Sequence, residues 1–397
     1  MGGTHMKLLH TADWHIGRTL NGYSLLDEQK YAFKQILKIA KDENVDGIVV
    51  AGDLYDRAIP STDAITTLNE MFKELNIDNK LPIYAISGNH DGAKRLNYGR
   101  DWMEFNNFYI NTLLDESFTP VETPDAQLFL LPFFDPMDAR VYYQKMGMSE
   151  EDVKNIKTIG DAMSLVLKDI YQKFDPAKKH ILVTHFAISP SATDIELTSE
   201  TTSKVGGLET LNTSLFDKFD YVMLGHIHTR FASPSENIRY SGSPIKFNVK
   251  EAKVKSNKGL YIVDTNKKPN NDDFKEILPG TDLIVLNETW ETLLDPDFYS
   301  KQPVNKDWFA ITIKQFDRTK HVSTNVRAQL QEIYGTVVEL DYDNIEKKNT
   351  DSDSSKNINK LSNEEVVDQF FESITGDELS KEQKSLVDNI FVELRGE

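Results

Sequence analysis

The sequence predicts an α/β protein, a sheet of short buried strands with crossover helices, followed by a smaller α+β unit and C-terminal helices. Three observations lead there. The apolar runs "KLLHTAD" (7–13), "DGIVVAGD" (46–53) and "LPIYAISGNHD" (81–91) each finish in a polar, glycine-marked loop. Between them, residues 25–44 and 61–76 carry helical periodicity. At "KKPNNDD" (267–273) the pattern breaks, which marks a domain boundary. A chain of 397 residues is long for one core, so two or three domains are expected.

Strand, helix, strand at the spacing of residues 7–91 makes a sheet whose ligands gather at the strand C-terminal ends. Ser61, directly after Pro60, is the expected N-cap of the second helix. "AQLFLLPFF" (126–134) reads as a further buried strand, and a long helical pattern spans 150–174. "HILVTH" (180–185) and "DYVMLGHIH" (220–228) are two more strands, with "RYSGSP" (239–244) and "GLYIVD" (259–264) closing the region. The smaller unit runs through "TDLIVL", "WFAITIKQF" (308–316), a helix around 322–334 and "GTVVELDYD" (335–343). "EKKNTDSDSSKNINK" (346–360) is polar and poor in apolar residues, hence a flexible linker. Two amphipathic segments, 363–374 and 380–396, end the chain.

The expected domains are therefore 6–270, a capping or DNA-contact unit at 276–344, a linker at 345–361 and partner-binding helices at 362–397. "MGGTH" (1–5) looks like a cloning remnant, so His5 is set aside. There is no cysteine, which excludes disulfides and thiolate metal sites. With no export signal at the start, that points to the cytoplasm, and no apolar run is long enough to span a membrane. The formal charge of −18 argues against a nucleic-acid partner until its distribution is considered. Residues 341–397 alone hold 15 acidic against 7 basic side chains, and carboxylates that bind metal are neutralised by it.

Five separate segments end on carboxylate, carboxamide or imidazole groups. They deliver Asp13 and His15, then Asp53 and Asp56, then Asn89, His90 and Asp91, then His185, and last His226 and His228. Strand ends sharing one sheet edge bring these groups to one pocket. Oxygen and imidazole donors without thiolate suit Mn, Fe(II), Zn or similar ions. Four His, two Asp and one Asn exceed one tetrahedral shell but fill two sites if one carboxylate bridges, and Asp53 is the natural bridge. Two such metals roughly 3.5–4 Å apart can clamp both oxygens of a phosphoester displacement. Taken singly, "DWH" is more often a turn cap, "GNHD" reads as an ordinary turn, and "GHIH" is half a site or nothing. Asp91 reads as a residue that holds its turn. His10, His180 and His321 stay with the plainer reading too, whereas Arg57 is equally a surface charge or a phosphate contact.

The ordered set over about 7–265 resembles the calcineurin-like metallophosphoesterases, which implies a β-sandwich flanked by helices. By that resemblance Asp13, His15 and His228 hold one metal, and Asn89, His185 and His226 the other, with Asp53 shared. His90 matches a histidine that stabilises the transition state or protonates the leaving oxygen. Asp56 matches an acid that orients His90. "LLHTADWHIGRTLNGYSLLDEQ", "GDLYDRAIPS", "LGHIHTRF" and "YSGSPIKFNVKEA" narrow the likeness to the SbcD-type nuclease subunits. That implies a Mn-dependent DNA nuclease, exonucleolytic at duplex ends and endonucleolytic on single strands or hairpins. It also implies a nucleoid-associated DNA-repair role, a homodimer, and an SbcC-type ATPase partner with coiled coils, together a heterotetramer. The helices around 61–76 and 91–105 are the family's suggestion for the dimer interface.

Candidate DNA contacts are Arg18, Asn21, Lys94, Arg95 and Arg230, with a basic stretch at Lys246, Lys250, Lys253 and Lys255. No interleaving of aromatic and basic residues suggests base reading, so backbone contact without sequence preference is expected. The terminal segments place apolar stripes on short helices, which suits docking on a partner helix. Two other readings fit the same core. A phosphatase or small-substrate phosphodiesterase would turn over small phosphoesters and leave DNA intact. A metal-free scaffold would have lost ligands, whereas all seven positions are filled here.

Overall fold

Two sheets face each other across a shared apolar layer in the computed structural model, which describes residues 5–189, 210–254, 257–316, 325–343, 366–368, 370–371 and 379–395. The first sheet has the order Phe274–Glu276, Gly259–Asp264, Lys7–Thr11, Gly47–Ala51, Ile83–Ile86, Phe108–Asn111. Its last four strands are parallel, and Gly259–Asp264 runs antiparallel to Lys7–Thr11. The second sheet has the order Ile238–Tyr240, Tyr221–Leu224, Lys179–Thr184, Ala126–Leu131, Val121–Glu122, parallel except for the last.

The period-2 alternation of strand side chains decides which layer each residue joins. Leu8, Val49, Leu128, Val183 and Met223 fill the layer between the sheets. Their neighbours turn outward: Leu9, Ile48 and Val50 meet the helices Leu26–Asp42 and Thr62–Phe72, and Phe129, Leu182 and Val222 meet Ile159–Tyr171. Burial on both faces explains the near-continuous apolar runs in the sequence. Each such Leu, Ile or Val contributes roughly 1.5–3 kcal/mol by leaving water. The result is a sandwich flanked by helices on both sides, as expected. His10 points into the shared layer with Nε2 3.2 Å from the Leu224 carbonyl, and burial lowers its pKa to about 3. It is a core histidine.

Ser61 caps its helix by accepting from the Ala64 N–H at 3.2 Å. The single helix expected over 150–174 is two, Glu150–Lys154 and Ile159–Tyr171, because Thr158 and Asp161 close a capping box and restart the chain. The helix expected around 322–334 is Val326–Tyr334. Pro136–Lys145, started by Asp135, was not legible in the pattern.

By packing, the chain divides into residues 1–312 with 323–341, and 313–322 with 342–397. A three-stranded sheet orders Leu283–Thr289, Trp308–Lys314 and Val337–Asp343. Within the larger unit, the Glu28 carboxylate accepts from Gly280 N and Thr281 N, and Lys246 pairs with Asp282 at 2.6 Å. In the smaller unit the helix Lys381–Arg395 leaves Leu386 and Ile390 exposed, as Val366 and Phe370 are. The expected linker, Lys255, His321 and most of 363–374 lie outside the described residues. No helix among the described residues is long and apolar enough to cross a membrane.

Candidate active site

All five strands named from the sequence end on one edge of the sandwich. Asp13, His15, Asp53, Asn89 and His90 come from the first sheet, and His185, His226 and His228 from the second. The loops after Lys7–Thr11 and Gly47–Ala51 are zipped together by Asp13 N to Gly52 O (3.1 Å), His15 N to Asp53 O (2.9 Å) and Ile16 N to Leu54 O (3.0 Å). Asp13, His15, Asp53 and His226 all sit at positive φ, between 44° and 91°. A non-glycine residue held there costs on the order of 1–3 kcal/mol and persists only where its surroundings over-determine it. Here Asp13 and His15, and likewise His226 and His228, face the site, while Trp14 and Ile227 between them turn to the core.

Asp53 stands at the centre. Its Oδ1 accepts the His90 backbone N–H at 2.9 Å, while Oδ2 lies 3.4 Å from His15 Nε2 and 3.2 Å from His185 Nε2. Asn89 Oδ1 is 3.1 Å from His185 Nε2 and 3.0 Å from His226 Nδ1. On the other side His15 Nε2 and His228 Nε2 face each other at 3.1 Å. Asp13 Oδ1 accepts the His226 N–H at 2.9 Å, and its buried Oδ2 has no hydrogen-bond partner among the described residues. Gly88 and Gly225 leave no room for a side chain. A Cβ on Gly88 would stand 2.1 Å from Asp53 Oδ1, and one on Gly225 1.9 Å from the Ala51 carbonyl oxygen.

The electrostatics follow from burying so many polar groups together. Burial works to raise the Asp53 pKa, but His185 and His15 outweigh it and hold the carboxyl well below its usual range. Burial likewise opposes charge on His185, yet the Asp53 carboxylate beside it lifts that pKa to about 9. His15 is held well below the imidazole range by burial, and His226 is pushed to about 3 by burial and by charge on His185. Asp13 is raised by burial, against the pull of His228 and His185.

The donor set fits divalent cations. Asp13, His15 and His228 present ligand atoms within 4.8 Å of one another, and so do Asp13, Asp53 and His185. An orphaned carboxylate oxygen and two imidazole nitrogens facing each other make a poor stable contact without a cation between them.

Three side chains contribute in ways the sequence did not reveal. Glu251 lies behind His228, with Oε1 3.4 Å from Nδ1, and is itself paired with buried Lys258. Burial opposes its charge, but Lys258 and then His228 bring its pKa to about 2. Gln29 donates to the Trp14 and His15 carbonyls and accepts from Gly17 N. Glu251 reads in sequence as an ordinary helix-start acid after the Asn248 cap, so nothing there marked it. Asp91 does hold the turn, accepting from Leu54 N, Tyr55 N and Gly88 N.

Asp56 differs from expectation in one respect. His90 Nδ1 meets the main-chain carbonyl of Asp56 at 3.0 Å, while the Asp56 carboxylate binds Arg18 at 2.7 Å and lies 3.8 Å from His15 Nδ1. Its residue supports His90, but through the backbone. Among the candidate DNA contacts, Arg18 is thus engaged by Asp56, and Asn21 donates to the Val338 carbonyl at 3.2 Å. Lys94 and Arg95 are exposed on the short helix Ala93–Leu96. Arg230 lies over the Phe231 and Phe274 rings at 4.3 and 4.2 Å, and Arg57 is exposed beside Asp56.

The chain matches the calcineurin-like phosphoesterase family over residues 6–230. Residues 279–375 match a second family, described as the type 5 capsule protein repressor C-terminal domain. The D subunit of the nuclease SbcCD from Staphylococcus epidermidis is 34% identical over 386 residues, 97% of this chain and 98% of the relative. The corresponding D subunit from Staphylococcus saprophyticus is 32% identical over 391 residues, 98% of each.

Proposed function

The chain belongs to the calcineurin-like phosphoesterases and, among them, to the SbcD family of SbcCD nuclease subunits, and on that premise we propose that it is a metal-dependent DNA nuclease. The observation that carries the reading is the convergence of seven oxygen- and nitrogen-bearing side chains from five strand ends, with Asp53 at their centre. Asp13, His15 and His228 would hold one divalent ion, and Asn89, His185 and His226 the second, with Asp53 between them. Mn²⁺ suits this hard and borderline donor set. Bound there, the two ions would supply a nucleophilic hydroxide at neutral pH and positive charge against the phosphodiester oxygens.

The protein's own groups do the rest. His185 Nδ1 lies 2.7 Å from the Ala51 carbonyl, which can only accept, so the proton sits on Nδ1 and Nε2 is turned to the site. The Asp56 carbonyl fixes His90 Nδ1–H in the same way, so a proton that His90 gives to the leaving group departs from Nε2. From there it reaches the departing oxygen. Asp53 ties these events together, because the carboxylate that would bridge the ions also holds the His90 backbone.

The finer reading is exonuclease action at duplex ends and endonuclease action on single strands or hairpins. In it the chain works as a homodimer beside a coiled-coil ATPase subunit, and the exposed apolar side chains of the Lys381–Arg395 helix support docking on that partner. One experiment tests the function: Mn²⁺ with end-labelled duplex, hairpin and single-stranded DNA, beside a small phosphodiester. Cleavage of the DNAs is expected. Turnover of the small ester alone would make the chain a small-substrate phosphodiesterase, and no turnover of either would leave a scaffold.

Metal binding is expected to depend on pH through His185. Its pKa of about 9 in the metal-free fold lies above the ordinary 6.5, so the stability it contributes is full below about pH 6.5 and lost as pH rises to about 9. A cation at Nε2 must displace that proton. Affinity for one of the two ions is therefore expected to climb up to about tenfold per pH unit and to level off above about pH 9. Titration calorimetry in buffers of different ionisation enthalpy reads both the affinity and the released proton. A flat affinity from pH 6.5 to 9 would show that no ligand gives up a proton in that range, so that either His185 is no ligand or its Nε2 carries no proton beside Asp53.

A further inference from the structure

A buried ion pair stands directly behind one of the proposed ligands and touches it at two points. Lys258 Nζ donates to the His228 carbonyl oxygen at 2.8 Å and to Ser243 Oγ at 2.8 Å, and lies 2.5 Å from Glu251 Oε2. The other oxygen of Glu251 lies 3.4 Å from His228 Nδ1 and accepts from Asn248 Nδ2 at 2.8 Å. His228, Glu251 and Lys258 are 3%, 6% and 8% exposed, so this is no surface pair. Packing alone does not call for it, since two charges are costly to bury and apolar residues of like volume fill such space at least as well.

We infer that the Glu251–Lys258 pair is a positioning device for His228, fixing its backbone through the carbonyl and its ring through Nδ1, so that Nε2 is presented to the cation. The inference rests on the reading of His228 as a metal ligand. A carboxylate can only accept, so Glu251 keeps the ring proton on Nδ1 and the lone pair on Nε2, the nitrogen that faces His15 Nε2. Lys258 sets where the carboxylate sits and, by the same ammonium, where the His228 backbone sits. The two ligands of the "GHIH" turn are thereby held differently. His226 is tied by its N–H to Asp13, and His228 by the ion pair behind it.

The test uses the full chain and the double variant Glu251→Gln/Lys258→Met, which removes both charges together and leaves neither buried unpaired. Calorimetric titration with Mn²⁺ is expected to show one binding event at wild-type affinity and the other weakened about 10- to 100-fold. In the metal-free chain, ¹⁵N spectra of the imidazoles are expected to show His228 as a mixture of Nδ1–H and Nε2–H forms, where the wild type holds Nδ1–H. A purely structural pair would lower Tm and leave both readouts alone. Wild-type affinity at both sites with His228 still Nδ1–H would overturn the inference. Should the double variant not fold, Glu251→Asp keeps a carboxylate for Lys258 but draws it one methylene back from His228 Nδ1, and it is read by the same two criteria. His228→Ala separates the levels: two undiminished binding events there would refute His228 as a ligand, whereas their loss beside an intact double variant would refute only the positioning role.

Discussion

Asp53→Asn is expected to lose tight binding of both ions and to lower DNA cleavage by about a thousandfold or more, several kcal/mol of transition-state stabilisation at ~1.36 kcal/mol per tenfold. The amide oxygen of Asn can still accept the His90 N–H that Asp53 Oδ1 takes at 2.9 Å, so the loop after Ile83–Ile86 keeps its place. What goes is the charge. Oδ2 lies 3.4 Å from His15 Nε2 and 3.2 Å from His185 Nε2, and an amide NH₂ there would donate to those nitrogens and occupy the lone pairs a cation needs. His185 also loses the carboxylate that keeps its pKa near 9. Calorimetry with Mn²⁺, beside cleavage of labelled DNA, checks both halves. Two undiminished binding events would show that Asp53 is not shared.

His90→Gln is expected to separate metal binding from chemistry. The backbone bond from residue 90 to Asp53 survives, because it does not involve the side chain. Glutamine can also donate to the Asp56 carbonyl in place of Nδ1. It cannot become a cation with a proton to give, so cleavage should fall about 10²–10⁴-fold while both ions bind normally. Single-turnover rates at saturating Mn²⁺ measure this without confusion from product release. Full cleavage by the variant would assign the proton to another group.

Much of this was legible in the residues, and the reason is physical. Strands buried on both faces must be apolar throughout, so a run such as "DGIVVAGD" that turns abruptly to carboxylate announces both its end and its site. Placing His226 and His228 on one turn, with Asp13 and Asp53 on others, needed only the rule that parallel strands share a C-terminal edge. Short-range backbone choices were harder. The break at 155–158 depends on Thr158 and Asp161 closing a box, a local bond that periodicity averages away. The manner in which Asp56 holds His90 is a main-chain contact, invisible in a side-chain alphabet. Glu251 and Lys258 lie 23 and 30 residues beyond His228, and only the fold brings them behind it. Arg18 and Lys246 read in sequence as cations available to DNA, but they meet Asp56 and Asp282 in space.

The donors are shared between the two sheets, Asp13, His15, Asp53 and Asn89 on one and His185, His226 and His228 on the other. The site therefore straddles a seam, and any ion bound there is a rivet across it. With ligands from both sheets, cohesion of the sandwich and retention of metal would be one equilibrium, read from two ends. A loosened contact deep in the shared layer, at Val183 or Met223, would reach the chemistry without touching it, by letting the halves of the cradle drift apart. Conversely, stripping the ions would soften a layer that contains no ligand at all.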